Sequence, residues 1–426
     1  MQTQMVFVIQ MTVRTFNEIK RKLSAGEAVV MTAQEIKNCT EKEATEADVV
    51  TTGTRGLMSG TYGVFTIPIK GSKFSKAKSL FLNGVCAHPG PCPNENLNLI
   101  EAMVFGTASS GSYGAGMLFR DMLENKPVHV EAVAKDGSQI SEEVLFEDMP
   151  YAKLMSTRNS FRNYSAMTNP HDCPLMTIFH ALEFPTNYKE LTFSGCGSIN
   201  PIQNDPSLKT MGIGTKVLIN GAEGFVTGTG TRSTQQSPNL TAIADMKKMD
   251  PDYMGGFMTS EGPECIVSWG VPIPILDDTL LENVRVLDEQ IQLSLLDVSV
   301  RKPIAQIDYG KLWKETSLSV KVDADNCKKC DICRAVKSCP MSAISEMPDI
   351  NRHRCFNCGL CSTICPDVFH ADLGKVQVCT DGIEREIPVA CRQSDRVRAL
   401  KISRELKSRL LDKSFLLTEP VEKLQP

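Results

Sequence analysis

The chain has 426 residues, 42% of them apolar and 23% charged, with 16 cysteines and a formal net charge of −4. That length calls for two or three domains rather than one small core, and the mild acidity argues against a nucleic-acid or anionic-membrane partner. No apolar run approaches the roughly 20 residues that cross a bilayer.

Residues 1–14 read as an extension: the start MQTQMVFVIQ is apolar but lacks the basic segment and small-residue cleavage site of a signal peptide. Thr15-Phe16-Asn17-Glu18 has capping-box spacing, apolar residues recur at Phe16, Ile19 and Leu23, and Gly26 supplies a stop, so a helix is predicted there. Ala28-Val29-Val30-Met31 reads as a buried strand, and Thr32-Ala33-Gln34-Glu35 opens a second helix. Asp48-Val49-Val50 then leads into Thr51-Thr52-Gly53-Thr54, read as a strand ending in a polar turn. Strand, helix and strand in so short a span predict a parallel βαβ unit with the turn at its ligand-binding end. Further helices are predicted over 96–105, 116–124 and, in pieces, 276–297, with strands over 128–134, 190–193 and 216–219. Residues 301–316 read as a linker, 318–322 as the first strand of a small module, and 376–378 as its last. Ser394 is the expected N-cap of a basic helix running through Leu411, its charged side taken as a solvated face.

Inside that module lie Cys327-x2-Cys330-x2-Cys333-x5-Cys339-Pro340 and Cys355-x2-Cys358-x2-Cys361-x3-Cys365-Pro366. Doubled runs of this kind hold two iron–sulfur cubanes, the last cysteine of each run crossing to the other cluster. The pattern therefore assigns Cys327, Cys330, Cys333 and Cys365 to one [4Fe–4S] cluster, and Cys355, Cys358, Cys361 and Cys339 to a second. The first run has five residues before its last cysteine where three are usual, Arg334 to Ser338, and the crossover lets the longer loop be absorbed. Structural zinc is the competing reading, but zinc knuckles need neither the third evenly spaced cysteine nor the following proline. Half of the cysteines thus belong to oxygen-sensitive chemistry, and a reduced cytoplasm is the expected setting. The fold class expected is an α/β N-terminal domain with a mixed or parallel sheet over 15–300, then the linker 301–316. A ferredoxin-like α+β module follows over 317–391, and a helix and tail over 392–426 close the chain.

Other thiols are candidates for chemistry. Cys196 sits in Ser194-Gly195-Cys196-Gly197-Ser198, where glycines permit an exposed loop thiol, although a small buried residue filling a turn fits equally. Cys86-Ala87-His88-Pro89-Gly90-Pro91-Cys92 places two thiols and an imidazole on one stiff loop, suited to a metal or a redox pair, against a rigid turn with incidental cysteines. Cys173 and Cys265 rank below these, Cys39 reads as core, and Cys379 and Cys391 offer no usable spacing. Gly111 to Gly116, opening a helix, could cradle an anion. Gly224 to Gly230 with Arg232 could close over a carboxylate, with a solvated turn as the plainer reading. The remaining histidines show no catalytic spacing; His370, close behind the second run, is expected at the surface.

Several blocks resemble the homocysteine-biosynthesis family, whose characterised type is an L-aspartate-semialdehyde sulfurtransferase. They are Val49-Val50-Thr51-Thr52-Gly53-Thr54, Arg158-Asn159, Asn163-Tyr164, Thr168-Asn169, Asn204-Asp205-Pro206 with Gly212-Ile213-Gly214-Thr215, and Arg392-Gln393-Ser394-Asp395-Arg396. Members that make homocysteine carry one cysteine shortly after the Thr-Thr-Gly-Thr block and another further on. Here those places read Leu57-Met58-Ser59-Gly60 and Ala134-Lys135-Asp136-Gly137-Ser138, without a thiol. Serine cannot carry a sulfane sulfur, and the pattern is similar to a divergent branch named methanogenesis marker protein 16. The resemblance implies sulfur handling coupled to the clusters: reductive sulfur transfer or metallocofactor maturation in methanogenic archaea, with Cys196 and Cys86 or Cys92 as acceptor. The implied partners are an external electron donor or acceptor protein and a sulfur donor or small-molecule substrate. Two other outcomes are a non-enzymatic electron-transfer or assembly subunit, and homocysteine formation itself.

Overall fold

A computed structural model describes residues 13–70, 76–90, 98–159, 165–346 and 348–425. Its first elements follow the sequence. Helix Phe16–Ala25 is closed by the Thr15/Glu18 capping box and by Gly26 in the left-handed region at φ 79°. Thr32 N–H donates to Glu35 at 2.7 Å and Glu35 N–H to Thr32 Oγ1 at 3.1 Å. Strand Val30–Thr32 pairs in parallel with Val49–Leu57, register Val30↔Val49.

The predicted turn at Thr51–Thr54 does not exist. All four residues lie inside the buried Val49–Leu57 strand, paired antiparallel along its length with Gly262–Pro274, from Val49↔Pro274 to Leu57↔Ile266. The threonine hydroxyls are satisfied by residues distant in the chain: Thr52 Oγ1 donates to Val271 O at 2.7 Å, and Thr51 Oγ1 lies 3.3 Å from Ser403 Oγ. Gly53 serves close approach rather than turning, since a Cβ there would stand 2.0 Å from Ala399 O on the helix packed above.

These two strands belong to a 14-stranded sheet of largely antiparallel hairpins that continues through Lys216–Ile219, Ala222–Thr229, Leu240–Asp245, Tyr151–Asn159 and Thr61–Pro68 to Gln139–Val144. The helix predicted over 96–105 is instead strand Leu99–Phe105, paired with Thr61–Pro68. Ile100, Ala102 and Val104 alternate into the core, so sheet pairing overrides the local pattern. Helix Ala115–Leu123 and strands Val128–Ala134, Leu191–Phe193 and Lys216–Ile219 stand where expected.

A second, six-stranded sheet has the order Pro303–Asp308, Gln292–Asp297, Ser165–Thr168, Leu191–Phe193, Ile383–Arg392, Lys375–Thr380. It corrects three expectations. The stretch 276–297 is helical only over Asp278–Val284 and a short turn, and then becomes strand. Residues 301–316 form strand Pro303–Asp308 and helix Gly310–Trp313 rather than a bare linker. Residues 376–378 pair with Ile383–Arg392, while Lys321–Val322 takes Phe369–His370 as its partner. The final helix, Arg396–Leu411, is capped by Asp395, which accepts from Val397 and Arg398 N–H, and not by Ser394; Ser394 Oγ instead accepts from Gly195 N–H at 2.7 Å. The observed class is thus mixed α/β, and no helix among the described residues is long and apolar enough to cross a membrane.

Candidate functional site

Family-like blocks far apart in the chain meet around Cys196. The expected exposed thiol is fully buried. Gly195 and Gly197, at φ 105° and 61°, fold the loop so tightly that a Cβ would meet Tyr309 Oη at 2.1 Å or Asp288 Oδ1 at 2.2 Å. The Cys196 thiol donates to Arg55 O at 3.7 Å and lies 3.8 Å from Thr54 Oγ1. Burial, opposed by the Arg55 contact, pushes it up to about 11, so it is a thiol rather than a thiolate at neutral pH.

Two residues on, Ser198 O accepts from Lys37 Nζ at 2.6 Å and Asn204 Nδ2 at 2.8 Å, while Ser198 N–H donates to Asp288 Oδ1 at 2.7 Å. Asp288 pairs with Arg396 at 2.7 Å. Burial, aided by the Arg396 charge and opposed by Asp288, pushes the Lys37 amine down to about 7. Asn200 Nδ2, Gln203 Oε1 and Asn204 Oδ1 are buried without hydrogen-bond partners, so this polar cluster holds donors and acceptors that its own chain leaves unused.

A buried ion-pair network ties this region to the second cysteine run. Arg55 Nη1 meets Asp395 Oδ2 at 2.5 Å, Arg398 meets the same oxygen at 3.1 Å, and both Arg55 and Asp395 are inaccessible. The other oxygen, Asp395 Oδ1, accepts from Asn357 Nδ2 at 3.1 Å, and the Arg55 guanidinium stacks 5.1 Å from the Phe356 ring. Asn357 stands between Cys355 and Cys358.

The two runs share one local bend. Lys329 and Asn357, each the second residue between the first two cysteines of its run, adopt φ 49° and 55°. Each donates its N–H to the first cysteine's sulfur, Cys327 or Cys355, at 3.4 Å. Ala343 N–H donates likewise to Cys339 Sγ at 3.3 Å. Cys339, Cys355, Cys358 and Cys361 line one apolar hollow with Met341, Ile344, Phe356 and Ile364. Among the described residues no three His, Cys, Asp or Glu side chains converge on a point that would hold a single metal ion. Cys358 is buried and packs with Cys391, Phe257 and Ile266, whereas Cys330 is exposed and Cys327, Cys333 and Cys365 are half-buried.

The remaining candidates separate. Cys86 is exposed on strand Val85–Pro89 with Phe81 opposite, whereas Cys196 is buried. Cys92 lies outside the described residues. Cys173 and Cys379 are exposed, and Cys265 is buried with its thiol pushed far up by desolvation. Cys39 is half-buried against the main core, and His370 is exposed as expected. In the Gly111–Gly116 loop, Gly114 and Gly116 are needed for packing, since a Cβ there would stand 2.5 Å from Pro263 and 2.3 Å from Gly255 O, while Gly111 stands in open space. Lys37, Asp288 and Asn357 escaped the sequence reading, and Cys391 was set aside for want of usable spacing. The only signal for Asp395 was its place in the Arg392–Arg396 block.

The mixed α/β body thus joins a buried thiol, a lysine amine and unpartnered amide groups, through a buried ion-pair network, to the second cysteine run. Residues 28–417 match the family described as homocysteine biosynthesis enzyme, sulfur-incorporation, and the chain belongs to it. It is 41% identical over 414 residues to an uncharacterized protein of Methanothermobacter thermautotrophicus, covering 95% of this chain and 94% of that one. It is 40% identical over 379 residues to another from Methanocaldococcus jannaschii, with coverages of 88% and 94%. The L-aspartate semialdehyde sulfurtransferase of M. jannaschii is 30% identical over 347 residues, covering 75% of this chain and 66% of that protein. No solved structure matches the chain.

Proposed function

We propose that this protein carries out reductive sulfur handling. Cys327, Cys330, Cys333 and Cys365 would hold one [4Fe–4S] cluster, and Cys339, Cys355, Cys358 and Cys361 a second, within a ferredoxin-like module. The donor chemistry fits: four thiols spread around one apolar hollow, with backbone N–H groups aimed at sulfur, suit a cubane better than a point ion. Bound there, such clusters supply electrons one at a time.

The reaction class follows from the electron count. Cleaving a persulfide consumes two electrons and two protons and yields a thiol and hydrogen sulfide. Inserting sulfide into an aldehyde releases water to give a thioaldehyde, which two electrons and two protons then reduce to a thiol. Either suits a pair of one-electron sites. The observation that carries the reading is the contact chain from Cys196 through Arg55 and Asp395 to Asn357, between two of the predicted cluster ligands. Lys37 and the Asn200–Asn204 amides would orient the substrate, and Cys196 would accept sulfur. Because the thiol is buried and protonated at rest, substrate entry must precede its use.

The test is alkylation mass spectrometry on anaerobic protein given a sulfane donor. A persulfide on Cys196 is expected, and Cys196→Ser should abolish it. No persulfide outside the cluster runs, with normal cluster reduction, would overturn the enzymatic reading in favour of an electron-delivery subunit. Rescue of a homocysteine auxotroph would identify the product as that of the sulfurtransferase relatives.

A further inference from the structure

A cleft of about 430 Å3 opens where distant parts of the chain meet. The turn Pro251–Tyr253 contributes Asp252, strand Lys321–Val322 contributes Lys321, the loop before the second cysteine run contributes Arg352, and the final helix contributes Val397 and Lys401. Its floor is apolar, made by buried Val320 and half-buried Val397, and its rim is cationic, with Lys321, Arg352 and Lys401 exposed. The carboxylate in the lining is already engaged: Asp252 Oδ1 lies 3.0 Å from His353 Nδ1, and Oδ2 lies 3.2 Å from Lys401 Nζ. Lys321 and Arg352 have no carboxylate partner among the described residues, and nearby Asp323 instead accepts from Asn326 Nδ2 at 2.9 Å. Arg352 Nη1 donates to Val320 O at 2.7 Å, which holds the guanidinium beside the residue that Lys321 follows. Two cations gathered in one cleft repel each other unless an anion lies between them.

We propose that this cleft binds an organic phosphate, a phosphate monoester with an apolar body. The dianion matches the two cations left without a carboxylate, Lys321 and Arg352, and the body lies on Val320 and Val397. The volume is that of a small-ligand site, about 300–1,000 Å3. A concave apolar floor favours a small molecule over an acidic protein, whose carboxylates would need only the rim. Asn357 lines the same cleft and donates to Asp395 Oδ1 at 3.1 Å, so an occupant touches the contact chain that ends at Cys196. Such binding requires neither iron–sulfur clusters nor a persulfide on Cys196.

The experiment is anaerobic isothermal titration calorimetry of the full-length chain with phenyl phosphate, with inorganic phosphate and phenol as separate arms. Phenyl phosphate is expected to saturate one site, inorganic phosphate to bind it about tenfold more weakly, and phenol not to bind measurably. Lys321→Gln and Arg352→Gln should each weaken phenyl phosphate about tenfold, Arg352→Lys should restore part of the loss, and Asp252→Asn, which removes the acid, should tighten binding. Lys321→Gln removes no ion pair, so it decides the question if Arg352→Gln, which gives up the bond to Val320, fails to fold. No saturable phenyl phosphate binding up to about 10 mM, or an affinity unchanged in Lys321→Gln, would overturn the proposal. Inorganic phosphate binding as tightly as phenyl phosphate would overturn the organic assignment in favour of a free-anion site. Salt-sensitive binding of polyglutamate without phenyl phosphate binding would overturn it in favour of a docking face for an acidic protein.

Discussion

The two cysteine sets share one local bend and differ in what surrounds it. Each run bends at a left-handed residue whose N–H meets the first sulfur. The set of Cys327, Cys330, Cys333 and Cys365 nevertheless sits near solvent, beside the exposed Lys328–Asp367 pair. The set of Cys339, Cys355, Cys358 and Cys361 is locked to the large sheet. Phe356 packs edge-on to Phe257 at 5.2 Å, Met258 N–H donates to Pro340 O at 2.9 Å, and Asn357 reaches Asp395. One local bend used twice thus stands in one set, the outer, nearer solvent and in the other, the inner, against the large sheet, and tertiary contacts make that difference.

The strongest way to break this contrast is Asp395→Ala, which leaves Arg55 buried and unpaired. A loss of about 3–5 kcal/mol in urea unfolding is expected, together with loosening of the inner run visible as faster hydrogen exchange at 355–358. A comparable urea curve would show that the network does not couple the two regions.

Glu264 gives a pH handle on the inner side, since its strand carries Ile266 against the inner set. Burial pushes its carboxyl up to about 7, Arg158 opposing, and Oε2 lacks a partner. The folded state therefore favours the protonated acid, whose contribution is complete below pH 4.5 and fades as pH rises to about 7. Glu264→Gln should be neutral near pH 4.5 and stabilising at pH 8, by at most about 3 kcal/mol. A pH-independent difference would contradict the assignment.

Gly53→Ala tests the close seat of the last helix on the strand that carries Arg55, because the added methyl meets Ala399 O. A cost of about 1–3 kcal/mol is expected from thermal unfolding. At the outer set, Lys328→Ala removes only an exposed ion pair, and no measurable change in Tm is expected. A marked drop there would erase the contrast between the sets.

Local structure was legible in the sequence, because the capping boxes at Thr15 and Thr32 and the parallel βαβ pair are short-range signals. What long-range packing decides was not. Thr51–Thr54 looks like a turn because it is polar, yet its hydroxyls are satisfied by Val271 and Ser403, hundreds of residues away. Residues 99–105 look helical until Thr61–Pro68 is known to lie beside them. Cys196 was readable as a candidate from its glycines but not its burial, which comes from Thr54, Tyr309 and Asp288 closing over the loop. Cys391 and Asp395 acquire meaning only when the second sheet delivers them to the inner run.

The most direct measurement is iron and acid-labile sulfide per chain in anaerobically purified protein. The two-set account predicts about eight of each, with two reduced EPR signals of unequal solvent exposure. Zinc in place of iron, or a chain free of inorganic sulfur, would contradict it.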